Sequence, residues 1–239
     1  MSIEETIKRI VPKRLRELRP YTTELAAGLV KMDAMELPFS FSDLVLEEFY
    51  NSLKKLSLNR YPDSSATVLR ERLLEVYNLN TDVDVIVGNG SDELIHLLCL
   101  LTAGTGNASM LCSAPTFSVY RIASETQGLH YLEVDSNPSD FNLDIGGMIE
   151  VVEAESPSLI FVASPNNPTG NSIDSSDLER LCRSTPGLVV LDEAYWRFSR
   201  VSSLELIESH ENLLILQTLS KIGFAGLRVG MLYGPKAWV

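Results

Sequence analysis

Short apolar runs alternate with amphipathic stretches of helix length from residue 83 onward. The apolar runs contain many β-branched residues and are predicted to be strands, at 83–87, 109–112, 130–134, 158–163, 188–192, 213–217 and near 227–233. Helical spacing predicts helices between them, at 92–102, 117–126, 144–153 and 174–183. This alternation is typical of an α/β fold with a doubly wound, mostly parallel sheet. The nearly continuous apolar strands fit burial on both faces.

The part of the chain before residue 83 follows a different pattern. Helices are predicted there at 3–19 (broken near Pro12), 43–56 and 66–77. Few periodic signals occur over 20–41, and a turn cluster occupies 59–65. We therefore predict an N-terminal segment of helix, extended arm and helix over 1–58, followed by a large domain over 59–239.

Composition excludes several classes of protein. The 239 residues are 45% apolar and 22% charged, with 20 Lys and Arg against 32 Asp and Glu, a net charge of −12. This acidic balance argues against a nucleic-acid partner. The longest apolar run, 94–101, is too short to span a membrane, and the N-terminus lacks the features of a signal peptide, so a cytoplasmic location is expected. The three cysteines are expected to be buried thiols, and the three histidines structural or surface residues.

Ligands of open α/β sheets bind at the carboxyl ends of the strands, so the loops there are the candidate sites. Lys221 follows the strand at 213–217, among small and apolar residues. Desolvation would lower the pKa of its amine and make it a nucleophile for a Schiff base. The alternative is a lysine that extends from its loop into solvent.

Asp192 ends the apolar strand at 188–192, and Tyr195 follows three residues later. A carboxylate in such a place is costly unless it meets a cation, and a protonated pyridine nitrogen is one candidate. Tyr195 could then reach the phenolic oxygen of the same ring. The alternative is a structural aspartate that caps the next turn.

Three further loops contain candidate binding groups. Asn167 lies in a Pro- and Gly-restricted loop that could hold its amide in one direction, or the loop is a plain turn. Gly90, Ser91 and Asp92 open a helix, where a glycine and free N–H groups suit a phosphate, although Ser91 is also an ordinary N-cap. Phe117 stands at the mouth of the sheet, or it is simply a core residue.

Taken together, these motifs resemble a known family. The run Asn167-Pro168-Thr169-Gly170, the pair Asp192 and Tyr195, and Ser220-Lys221 with Arg228 are similar to motifs of the pyridoxal-phosphate-dependent aminotransferases of class I/II, which have fold type I. The resemblance is strongest to histidinol-phosphate aminotransferases. It covers about residue 30 to the end of the chain and includes Asn59-Arg60-Tyr61-Pro62.

The resemblance implies a role for each motif around pyridoxal 5'-phosphate. Lys221 would hold the cofactor covalently and move the proton, and Asp192 would pair with the pyridine nitrogen. Tyr195 and Asn167 would bind the phenolic oxygen, and Phe117 would stack on the ring. The phosphate would be held by a larger set, Gly90, Ser91, Asp92, Ser220 and Arg228. Tyr61 would reach the cofactor phosphate of a neighbouring subunit, which implies a homodimer.

The implied reaction is transamination in histidine biosynthesis. Glutamate and imidazole-acetol phosphate, an amino acid and a phosphorylated keto substrate, would give L-histidinol phosphate and 2-oxoglutarate. A threonine-phosphate-type decarboxylase shares the fold and cofactor motifs and stays open at this point. A catalytically inactive large-domain remnant is the third possibility.

Two departures from the family pattern bear on the substrate. The early segment has Glu36-Leu37-Pro38 where the family has Glu-Asn-Pro. The family continues into a small C-terminal domain that carries a substrate-binding arginine, whereas this sequence ends at Val239 with no arginine after Arg228. We therefore expect the small domain to be absent and substrate binding to be impaired, through natural truncation, a frameshift or fragmentation.

Overall fold

The computed structural model describes residues 2–18, 28–104, 106 and 108–239. Its helices are α1 (Ile3–Ile10), α2 (Lys13–Glu17), α3 (Asp43–Leu53), α4 (Thr67–Tyr77), α5 (Ser91–Ala103), α6 (Val119–Gln127), α7 (Ile145–Glu155), α8 (Ser175–Ser184) and α9 (Trp196–Ser199). Its strands are β1 (Val83–Asn89), β2 (Ser109–Ala114), β3 (His130–Asp135), β4 (Leu159–Ala163), β5 (Leu188–Asp192), β6 (Leu213–Thr218) and β7 (Val229–Pro235). Short 3₁₀ helices occupy Leu204–Ser209, Ser220–Ile222 and Ala225–Leu227.

These strands form a seven-stranded sheet in the order β1-β7-β6-β5-β4-β2-β3. Strand β7 runs antiparallel to both of its neighbours, and the other pairs are parallel. From β2 the chain continues to β3 on one side of the sheet, whereas from β4 it continues to β5 on the opposite side. The carboxyl ends of β2 and β4 therefore flank a switch point, where open α/β sheets bind their ligands.

Helices cover both faces of the sheet. Helices α5 and α6 pack on one face, over Met110, Phe161 and Leu216. Helices α7 and α8 pack on the other face together with one side of α4, over Ile160, Val189 and Ile215. The central strands β4, β5 and β6 are buried along their whole length, which explains why their sequences are apolar without alternation.

The predicted α/β fold with a mostly parallel sheet is confirmed, and the element boundaries agree to within a few residues. Proline 12 does break the first helix, because α1 ends at Ile10 and α2 begins at Lys13. The predicted arm over 20–41 lies partly outside the described residues; residues 30–41 form no helix or strand. The domain boundary after residue 58 stays a prediction. No helix among the described residues is long and apolar enough to cross a membrane.

Candidate active site

A cavity of about 190 Å³ opens at the carboxyl ends of the parallel strands. The loops after β2, β4, β5 and β6 and the start of α5 form its walls, and Asp33, Ala34 and Glu36 of the N-terminal segment form one side. The predicted site residues that line it are Ser91, Asp92, Phe117, Asn167, Asp192, Tyr195, Ser220, Lys221 and Arg228. The topology therefore brings together residues from five separate loops. Each of these loops follows a strand, and that position predicted that they would meet.

Asp192 is the buried acid of the cavity. Its side chain lies at the end of β5 and the residue is only 4% exposed. One carboxylate oxygen accepts a hydrogen bond from the backbone N–H of Ala194 at 2.9 Å, and the other accepts one from the phenol of Tyr120 at 2.7 Å. Burial raises the pKa of Asp192 to about 6, against the opposing effect of these two hydrogen bonds. The site thus holds a carboxylate that is ionised at neutral pH without a cation in contact among the described residues.

The turn after Asp192 is fixed by a second buried acid, Glu193. Its carboxylate accepts hydrogen bonds from the backbone N–H of Ser203 at 2.6 Å, the hydroxyl of Ser202 at 2.7 Å and the amide of Gln217 at 2.9 Å. Burial raises the pKa of Glu193, and these donors oppose that shift. Glu193 does not line the cavity; its bonds fasten the segment that carries Tyr195.

Lys221 is the nucleophile candidate, and its amine reaches into the cavity. The Lys221 Nζ donates a hydrogen bond to the backbone carbonyl of Ala34 at 2.9 Å and lies 5.4 Å from the centre of the Tyr195 ring. Burial lowers the pKa of the Lys221 amine, and the negative charges of Asp92, Glu36 and Asp192 partly offset this. The amine is therefore easier to deprotonate than that of an exposed lysine.

The phosphate-binding candidates meet beside the start of α5. Arg228 donates to the Ser220 hydroxyl at 3.4 Å and to the Asp92 carboxylate at 3.3 Å. Gly90 makes this approach possible, since a Cβ at that position would lie 2.4 Å from Arg228 Nη2, and its φ of +81° favours glycine. A guanidinium, a hydroxyl and the N-terminal N–H groups of a 13-residue helix together suit an anion.

Two predicted residues differ from the rest in their surroundings. Tyr61 is fully exposed and does not line the cavity. Asn167 lines the cavity, but its neighbour Asn166 makes the bracing hydrogen bonds of the loop, to the Pro115 carbonyl and the Thr169 and Thr116 hydroxyls, all at 2.8–2.9 Å. Asn166 therefore ties the loop after β4 to the loop after β2.

Sequence patterns did not single out three groups of the cavity. Tyr120 lies in the first turn of α6, three residues after Phe117, and only the apolar face of this helix signalled its burial. Thr218 ends β6 and hydrogen-bonds the Ser220 hydroxyl at 2.9 Å. Ala34 and its neighbours lie in an aperiodic segment whose position no local pattern reveals. Among the described residues, no group of three or more His, Cys, Asp or Glu could hold a metal ion.

Comparison with known proteins agrees with this geometry. Histidinol-phosphate aminotransferase 2 of Nitrosococcus oceani is 40% identical over 236 residues, covering 99% of this chain and 65% of the relative. The enzyme of the same name from Cupriavidus pinatubonensis is 37% identical over 238 residues, covering 98% of this chain and 64% of the relative. The chain thus spans a little under two thirds of the length of these relatives.

The fold also matches that of a solved structure. Histidinol-phosphate aminotransferase from Sinorhizobium meliloti, in complex with pyridoxal-5'-phosphate, superposes with a TM-score of 0.73 at 22% identity, over 84% of this chain and 55% of that one. At this identity the match bears on the fold alone. The family model for aminotransferase class I and II matches residues 27–239, so this chain belongs to the class I and II aminotransferase family.

Proposed function

We propose that this protein is a pyridoxal-phosphate-dependent aminotransferase that transfers the amino group of glutamate to imidazole-acetol phosphate, yielding L-histidinol phosphate. The observation that carries the proposal is the convergence on one cavity of the Lys221 amine, the buried Asp192 carboxylate and the Arg228 guanidinium. The names of the two curated relatives favour this substrate over that of a threonine-phosphate-type decarboxylase.

The residues present fit pyridoxal phosphate. The Asp192 carboxylate, ionised above a pKa of about 6, suits a protonated ring nitrogen. Arg228, Ser220 and the N–H groups of Ser91 and Asp92 suit the phosphate. Phe117 offers an aromatic face, and Tyr195 and Asn167 offer hydrogen bonds to the phenolic oxygen. When bound, pyridoxal phosphate supplies an electron sink that stabilises negative charge at the substrate Cα.

Lys221 would perform the proton transfers. Its Nζ must first leave the Ala34 carbonyl, which it contacts at 2.9 Å in this structure. The lowered pKa of the buried amine favours the neutral form, which can act both as the nucleophile that holds the cofactor and as the base that takes the proton from the substrate Cα. Asp192 would stay ionised through these steps, because its role is to keep the ring nitrogen protonated.

The substrate is tested by single-turnover spectroscopy of the cofactor-loaded protein. We expect the visible absorption of the cofactor to change on addition of glutamate and, separately, of L-histidinol phosphate, with no carbon dioxide released. Carbon dioxide release from threonine phosphate would instead assign the decarboxylase activity. No change with any of these compounds would contradict the proposal and favour an inactive remnant.

Arg228→Ala is expected to weaken binding of pyridoxal phosphate by at least about tenfold, because the substitution removes the cation that faces the phosphate and leaves the Asp92 carboxylate unopposed. Binding of pyridoxal, which lacks the phosphate, should change little. Equilibrium titrations with both compounds measure the difference. Arg183→Ala on α8, which removes an exposed arginine paired with Glu179, is the matched control. An equal loss for both compounds would show that Arg228 does not act on the phosphate.

We also propose a homodimer in which Tyr61 reaches the cofactor phosphate of the neighbouring subunit. Tyr61 is 100% exposed, and the N-terminal segment exposes further large apolar side chains, among them Val30, Phe39 and Leu58. Sedimentation equilibrium tests the dimer, and a monomer at all concentrations would contradict it.

A cytoplasmic location is also proposed, and cell fractionation tests it.

A further inference from the structure

Tyr120 makes the one side-chain hydrogen bond to Asp192 in the described structure. Its phenol oxygen lies 2.7 Å from the carboxylate, and the two residues are 72 positions apart in the sequence. The other carboxylate oxygen is held by the backbone N–H of Ala194. Both oxygens of Asp192 are thus fixed, one from α6 and one from the turn after β5.

The Tyr120 ring has little freedom to move. It is fully buried, stacks on Phe161 with 4.8 Å between ring centres, and makes a T-shaped contact with Phe117 with 5.6 Å between ring centres. Phe117 and Phe161 belong to the loop after β2 and to β4, the two strands at the switch point of the sheet. The position of the hydroxyl is therefore set by core packing rather than by the ligand.

The Tyr120 hydroxyl also affects the ionisation of the Asp192 carboxylate. Burial disfavours ionised Asp192, and Asp92 at the start of α5 disfavours it further, whereas Lys221 and the Tyr120 hydroxyl favour it. Since the protonated carboxyl could not serve as the counter-ion of a ring nitrogen, a fixed donor to the ionised form helps to keep the site functional at neutral pH.

We propose that Tyr120 is a positioning residue, whose buried hydroxyl holds the Asp192 carboxylate ionised and facing the cavity, ready for the protonated ring nitrogen of the cofactor. This inference rests on the function proposed above. Tyr120 acts through Asp192 and has no role in proton transfer at the substrate.

The test is Tyr120→Phe, which removes one oxygen and keeps the ring. Tyr233→Phe is the matched control, because Tyr233 is also fully buried but its hydroxyl has no hydrogen-bond partner among the described residues. Asp192 is titrated in the cofactor-free protein by infrared difference spectroscopy, with Asp192→Asn as the reference. The affinity for pyridoxal phosphate is then measured at pH 5.5, below both titration midpoints, where the ionised fraction of Asp192 limits binding.

We expect Tyr120→Phe to move the titration midpoint of Asp192 upward by about one pH unit or more and to weaken cofactor binding about tenfold. Tyr233→Phe should change neither quantity. A midpoint that stays at the wild-type value, or a shifted midpoint with unchanged affinity, would overturn the assignment.

A second measurement covers the case in which Tyr120→Phe does not fold. In the unsubstituted protein, the ring Cζ resonance of Tyr120 should shift as Asp192 titrates, and a resonance that does not respond would also overturn the proposal. Because the titration needs no cofactor, its result is separate from a failure of the proposed function, which would show as cofactor binding that does not depend on Lys221.

Discussion

Lys221→Ala is expected to abolish the covalent retention of pyridoxal phosphate. The amine that reaches the cavity is removed, and no other lysine among the described residues lines that cavity. After reduction with borohydride, mass spectrometry should find the cofactor attached to the wild-type chain and absent from the variant. The half-reaction with glutamate should slow by about 100- to 10,000-fold or more, since both the nucleophile and the proton-transfer group are lost.

Lys236→Ala is the matched control for this experiment. Lys236 follows β7 and is exposed, so its removal should leave attachment and half-reaction unchanged. Attachment that survives in Lys221→Ala, or that disappears in Lys236→Ala, would contradict both the site and the proposed function.

Asp192→Asn is expected to have opposite effects on catalysis and on stability. Removing the charged partner of the ring nitrogen corresponds to breaking a buried ion pair, which costs about 3–5 kcal/mol and so about 100- to 5,000-fold in rate. The cofactor-free chain should become more stable at neutral pH. An asparagine can still accept from Ala194 and donate to the Tyr120 oxygen, but it carries no buried charge.

The direction of the stability change follows from the pKa. Asp192 has a folded-state pKa raised from 3.8 to about 6, so the folded chain binds a proton between these values that the unfolded chain has released. The free energy of unfolding therefore falls as pH rises from about 4 to 6, by roughly 3 kcal/mol for a shift of this size. In Asp192→Asn the free energy of unfolding should no longer fall over this pH range. At pH 7.5 it should exceed that of the wild type by up to the same amount.

Urea unfolding of the cofactor-free protein at pH 4.5 and 7.5 measures this effect. Asp135→Asn is the control, because Asp135 also ends a parallel strand, β3, but is exposed. If Asp192→Asn is less stable than wild type at pH 7.5, the conclusion that Asp192 carries a buried, unpaired charge is contradicted. An unimpaired half-reaction in the same variant would contradict the role of Asp192 toward the cofactor.

The order of elements and the loops of the site were predictable from the sequence. Apolar runs of strand length and helical spacing are local patterns, and the Lys221, Asp192 and Arg228 motifs lie at strand ends that those patterns mark. Because parallel strands place their carboxyl ends at one edge, the meeting of these loops followed from the element order alone.

The contacts that adjust the chemistry depended on the tertiary structure. Strand β7 inserts antiparallel between β1 and β6, and the local sequence of β7 contains no sign of its neighbours. The Lys221 amine meets the Ala34 carbonyl across 187 positions, and Tyr120 meets Asp192 across 72. Local periodicity determined which residues are buried and in which element, whereas the sheet order decided which of them touch, because such contacts form only when distant segments pack together.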